Sequence, residues 1–152
     1  EPNNYGLIGT KKNAVAPGKR PLSSMSPTIV LNEEGQPFMS VGASGGPTII
    51  TGTFLAFINT VDFEMSPSAA ITAPRLHHQW MPYKLFLEEQ IAAKPTLEEF
   101  GHEVVVRPAY SNVQMIVRTG EEEFTGVSDP RKSGAPAKPA PKKAEQTAEK
   151  SK

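Results

Sequence analysis

Between a run patterned like a strand and a run patterned like a helix, the chain places Val41-Gly42-Ala43-Ser44-Gly45-Gly46-Pro47-Thr48. Glycine admits backbone conformations closed to other residues, and proline has a φ preset for a first helical position, so this stretch must reverse the chain into a helix. Upstream, residues 26–31 and 37–41 are two short β-branched and apolar runs joined by Asn32-Glu33-Glu34-Gly35-Gln36, which predicts a β-hairpin. Downstream, Ile50, Phe54, Phe57, Ile58 and Val61 recur at the spacing of one helical face, which predicts a helix to about Val61 with this stripe against the core. Gly52 lies inside that helix at a cost of about 1 kcal/mol relative to Ala.

Two readings of the glycines compete. A pair of glycines ahead of a helix serves as a tight connection, or it presents unpaired backbone N–H groups to an anion or a developing oxyanion. Phosphate cradling of the Walker type is excluded, because no Gly-Lys-Ser/Thr follows. The dinucleotide fingerprint is excluded too: its third glycine is missing and the preceding strand belongs to a hairpin.

Residues 133–152 contain no Val, Ile, Leu, Met or aromatic side chain, so they lack the apolar surface needed to offset ordering entropy. They are expected to form a disordered Ala/Pro/Lys-rich tail after a folded unit over 1–132. The formal net charge of zero hides a split between the two. Five Lys and two Glu make the tail basic, leaving 11 basic against 14 acidic residues elsewhere. No basic stripe interleaved with aromatics marks a nucleic-acid face. The absence of cysteine excludes disulfides, Cys-ligated zinc and thiol chemistry. No apolar run reaches the length of a membrane span. A start on Glu1 rather than Met is that of a cut product or an incomplete chain.

Residues 1–20 are rich in Pro, Gly and Asn and read as an irregular arm leading into Pro21-Leu22-Ser23-Ser24-Met25-Ser26-Pro27. The adjacent hydroxyls of Ser23 and Ser24 suit either a turn before the strand or a carboxylate ligand. Ser66-Pro67 starts a short helix, with Ser as the cap and Pro at the first position, ending near Ala73-Pro74. His77 and His78 are adjacent on an extended segment and point to opposite faces, a poor chelating pair, and Trp80 is expected to pack their loop. Beyond lie a strand at 84–87, a helix capped by Thr96 and ended by Gly101, and strands at 103–107, 113–117 and 124–127. Arg118-Thr119-Gly120-Glu121 turns the last hairpin. Hairpin strands interrupted by helices give an α+β class with helices layered on a largely antiparallel sheet.

Four blocks in order, residues 18–30, Gly42-Ala43-Ser44-Gly45-Gly46, residues 73–80 and Ser128-Asp129-Pro130-Arg131, resemble the C-terminal part of the small subunit of a γ-glutamyltransferase, an N-terminal-nucleophile hydrolase. The resemblance spans about 1–132 and implies an αββα sandwich, incomplete in this chain. In that family a self-cleaved precursor exposes a threonine whose own α-amine is its base, and this nucleophile attacks the γ-carbonyl of glutathione or a similar compound. The acyl group then passes to water or an acceptor amine, without a cofactor or metal. The resemblance assigns Ser23 and Ser24 to the substrate α-carboxylate and the backbone amides of Gly45 and Gly46 to the oxyanion hole.

The family's nucleophile and the side chains that bind the substrate amine lie upstream of the first residue here, so no nucleophile is expected in this chain. Thr28, Thr48, Thr51 and Thr53 are internal and offer no free α-amine. Where the family has Pro and Ser, this chain has Ser44 and Pro47. The implied partners are the large subunit and the rest of the small subunit, cut from one precursor, in a periplasmic or secreted protein. The alternatives are a β-lactam side-chain acylase of the same superfamily and a non-catalytic remnant.

Overall fold

The computed structural model describes residues 9–88, 92–108 and 111–137. The expected first residues of the arm, and 138–152 of the expected tail, lie outside the described residues. The α+β class holds. Strands β1 (Thr28–Leu31), β2 (Pro37–Ser44), β6 (Asn112–Arg118) and β7 (Phe124–Ser128) form one antiparallel sheet in that spatial order. Strands β3 (Leu76–His77), β4 (Leu85–Leu87) and β5 (Val104–Val106) form a second, in which β4 and β5 run parallel. The helices are α1 (Thr48–Val61), α2 (Pro67–Thr72) and α3 (Lys94–Glu99). The hairpin turn between β1 and β2 follows its composition, with Gly35 at φ +74° and the Asn32 side chain accepting the Gln36 N–H at 2.7 Å.

Alternation along β2 and β6 sends Met39, Val41, Val113, Met115 and Val117 to one face, where α1 and α2 cover them with Ala56, Ala70 and Ile71. Around this core the four-stranded sheet therefore has one layer of helices, on one of its faces. The other sheet face is a groove lined by Ile29, Ser40, Gly42, Gln114, Ile116 and Gly126, with Pro136 crossing it. A Cβ on Gly126 would stand 2.9 Å from the Pro136 Cβ, so Pro136 is seated against β7 at a position where only glycine leaves room.

Three expectations are corrected. The apolar stripe of α1 is only partly turned to the core: Ile50 and Phe54 are 54 % and 56 % exposed and Val61 is exposed as well, whereas Phe57 packs against the core and Ile58 is half-buried. The buried side is Thr48, Ile49, Gly52, Thr53 and Ala56, with the chain entering β6 coming closest at Gly52. A Cβ on Gly52 would meet the Ser111 Oγ at 2.8 Å and the Val113 Cγ2 at 3.4 Å. Thr96 does not cap α3, which starts two residues earlier at Lys94 with Pro95 in its first turn, although Gly101 ends it at φ +89°. Trp80 does not pack its loop; it is 66 % exposed at φ +72°, and the loop is held instead by hydrogen bonds of His77, His78 and Gln79.

Candidate functional site

The glycine turn is shorter than its composition suggests, because Gly42, Ala43 and Ser44 belong to β2, with Ser44 in register with Asn112. Chain reversal falls on Gly45 at φ +138° and Gly46 at φ +60°, and Pro47 follows with helical φ and ψ just ahead of α1. The Gly45 carbonyl accepts from the Thr48 N–H at 3.3 Å and the Thr48 hydroxyl at 2.9 Å, which aims it along α1. A trans peptide holds C=O and N–H on opposite sides, so the Gly46 N–H of the same unit points out from the helix end. Neither the Gly45 nor the Gly46 N–H donates to an acceptor among the described residues. The Gly46 N–H, with the positive end of a 14-residue helix behind it, suits a negatively charged group.

The irregular segment at 21–27 brings the serine pair to this turn. Ser24 is 6 % exposed, and its hydroxyl donates to the Gly46 carbonyl at 2.7 Å. That carbonyl also accepts the Ile49 N–H at 3.2 Å, so the arm and the helix hold one oxygen between them. Ser23 is exposed, and its Oγ accepts the Met25 N–H at 3.1 Å, which leaves the Ser23 proton for an outside acceptor. Ser23, Ser24, Gly45 and Gly46, the four residues singled out in the sequence, thus converge.

A second constellation joins residues 73–80 to 128–131. The Arg75 guanidinium is buried and spans the Asp129 carboxylate at 2.7 Å, the Ile71 carbonyl at 2.7 Å and Ser111 at 3.1 and 3.2 Å. Arg131 contacts Glu88 at 2.6 Å and Asp129 at 3.2 Å, and the backbone N–H of Arg75 also donates to Glu88. Beyond the end of β7, the Asp129 carboxylate accepts the Val113 N–H at 2.9 Å, where a strand carbonyl would otherwise stand. Burial raises the Asp129 pKa, but the N–H groups of Val113 and Arg131, with Arg75, outweigh it and hold the carboxyl below its ordinary value. Sequence reasoning found these segments as motifs and missed their pairing, because residues 54 apart leave no periodic signal.

His77 and His78 point apart. His77 faces Thr51 and Gln79, whereas His78 meets Tyr83 and His102 edge-on. Among the described residues no three His, Asp or Glu side chains gather at metal-binding geometry, and no helix is long and apolar enough to cross a membrane.

Comparison with known proteins bears on the chain as a whole. The family model of gamma-glutamyltranspeptidase matches residues 1–138. The glutathione hydrolase proenzyme of Escherichia coli (strain K12) is 42 % identical over 132 residues, a span covering 86 % of this chain and 23 % of that protein. A crystal structure of a Helicobacter pylori gamma-glutamyltranspeptidase variant is similar at a TM-score of 0.80 and 41 % identity, covering 87 % of this chain and 74 % of that one. The putative inactive glutathione hydrolase 4 of Arabidopsis thaliana is 53 % identical over 70 residues, covering 46 % of this chain and 36 % of that protein. The chain spans about a quarter of the length of the full-length proenzymes it matches. With fold, motifs and family model in agreement over most of its length, the chain belongs to the γ-glutamyltranspeptidase family.

Proposed function

We propose that this chain supplies half of the acyl-donor site of a γ-glutamyltransferase and glutathione hydrolase. Ser23 and Ser24 bind the α-carboxylate of the γ-glutamyl group, and the Gly45 and Gly46 amides stabilise the oxyanion formed when a threonine nucleophile, supplied from outside this sequence, attacks the γ-carbonyl. The observation that supports this reading is the 2.7 Å bond from Ser24 to Gly46, which joins the serine pair to the glycine turn. The Ser23 hydroxyl proton is left for a ligand, whereas Ser24 gives its own to the Gly46 carbonyl and so ties the carboxylate end of the site to the turn. The partners in this reading are the large subunit and the rest of the small subunit from one precursor. The exposed part of the apolar stripe of α1 and the open groove on the sheet support such cover. The complete protein is placed in the periplasm or outside the cell.

The test is to express the chain with its natural upstream coding sequence and offer the processed product a γ-glutamyl anilide and a glutaryl amide. Release from the γ-glutamyl anilide is expected, and preference for the glutaryl amide would make the protein an acylase. The similarity to a putatively inactive plant relative favours a second reading, a non-catalytic family member. Turnover of neither compound by a correctly processed protein would establish it.

A further inference from the structure

His77 is buried, and both ring nitrogens are engaged. The Gln79 side-chain nitrogen donates to the Met81 carbonyl at 2.8 Å, which fixes the amide with its oxygen toward the ring. That oxygen stands 2.8 Å from His77 Nε2, so Nε2 carries the proton and Nδ1 is a bare acceptor. The Thr51 hydroxyl lies 2.8 Å from Nδ1 and has one proton to give. The usual destination of a helical threonine proton is the preceding turn, but the Thr48 carbonyl is 3.3 Å away, the longer of the two contacts. The adjoining cavity, about 20 Å³, has room for about one water.

Thr51 sits in the first turn of α1, between Thr48, which fixes the Gly45 carbonyl, and Gly52, which packs against Ser111. We propose that His77 is a positioning residue for the glycine turn: its neutral, Nε2-protonated ring holds Thr51, and through it the first turn of α1, so that the Gly45 and Gly46 amides keep their aim. The surroundings keep the ring neutral. Burial is the largest influence and lowers its pKa, the Gln79 contact opposes that, and Arg107 and His78 add to the lowering. Arg75 and Glu88 border the same cavity, Phe86 stacks on the ring, and α1 carries no titratable side chain.

This inference rests on the reading of the turn as an oxyanion site, so its test has one arm that needs no activity. In the full-length processed protein, Thr51→Val removes the hydroxyl at nearly constant volume and Thr51→Ser restores it. The 15N shifts of the His77 ring in the parent should report a neutral Nε2–H form at pH 7. The Gly45 and Gly46 amide resonances should move in Thr51→Val and return in Thr51→Ser. Turnover of a γ-glutamyl anilide should fall about tenfold in kcat, with KM within about twofold and recovery in Thr51→Ser; that is less than the ~10²–10³ lost with a whole oxyanion donor. A folded Thr51→Val protein with unmoved glycine amides would overturn the inference, as would a ring protonated on Nδ1. If the parent shows no turnover, the functional reading fails, and the amide shifts still decide the positioning role.

Discussion

A hydroxyl has one proton, and the two adjacent serines use theirs differently. Ser23 accepts a backbone N–H and keeps its proton for a ligand, whereas Ser24 gives its proton to the Gly46 carbonyl. Ser23→Ala in the complete protein should therefore raise KM for a γ-glutamyl substrate and leave kcat within a fewfold, since a hydrogen bond to a charged group is worth about 1.5–3 kcal/mol and the carboxylate is remote from the scissile bond. Ser24→Ala should lower kcat as well, because the Gly46–Pro47 peptide loses one of its two restraints. Steady-state kinetics of the two variants separate these effects, and identical KM and kcat changes would mean that Ser24 has no role beyond the carboxylate. Proline at 47 has no N–H, which leaves Gly45 and Gly46 as the donors at the turn. Any side chain at 46 would meet a φ of +60°, a strain of roughly 1–2 kcal/mol.

Helix α1 shows where local pattern and tertiary context part. Its position and length were legible, because a glycine turn before an apolar repeat marks a helix start. Its orientation was not, because a stripe of Ile and Phe is read as a core face when nothing is known of what else covers the helix. The missed signal was the small-residue face, Thr48, Gly52, Thr53 and Ala56, which permits close approach to β6. Gly52→Ala illustrates the conflict. Propensity favours Ala by about 1 kcal/mol, but the added Cβ meets a Ser111 side chain held by Arg75, so overpacking of about 1–3 kcal/mol should win. A lower Tm for Gly52→Ala is expected; an unchanged or higher one would mean that Ser111 yields freely. The hairpins and α2 were legible because Gly35 and Ser66-Pro67 act within a few residues. The Arg75–Asp129–Arg131–Glu88 network was not, since its members share no local spacing. The serine and glycine pairs were each legible as candidate donors, and the family resemblance gave them roles; the bond that joins them spans 22 residues and left no local signal.

At the scale of the whole molecule, acid should weaken the fold in two stages. His77 is held below its ordinary 6.5, so the unfolded chain protonates first; its stabilisation is complete above 6.5 and is lost as pH falls through the lowered folded value. Asp129 is held below 3.8, so its contribution is complete above 3.8 and fades as pH drops through its own folded value. Urea midpoints measured from pH 8 to pH 3 should fall monotonically, and His77→Asn should flatten the upper part of that decline. Without further subunits the 152-residue chain exposes Ile50, Phe54 and Phe63 together with the sheet groove, and it should self-associate in light scattering. Ile50→Lys with Phe54→Lys should reduce that association; a monodisperse parent chain would contradict the expectation. The outward part of the stripe has a consequence for folding as well. Turning α1 by roughly half a turn about its axis would bury Ile50 and Phe54 against β6, so a competing, misrotated helix is written into the same residues. Side-chain hydrophobicity favours that trap, and what opposes it is steric and polar: the Gly52 seat on Ser111, the Thr51 link to His77 and the glycine turn that sets the angle of entry.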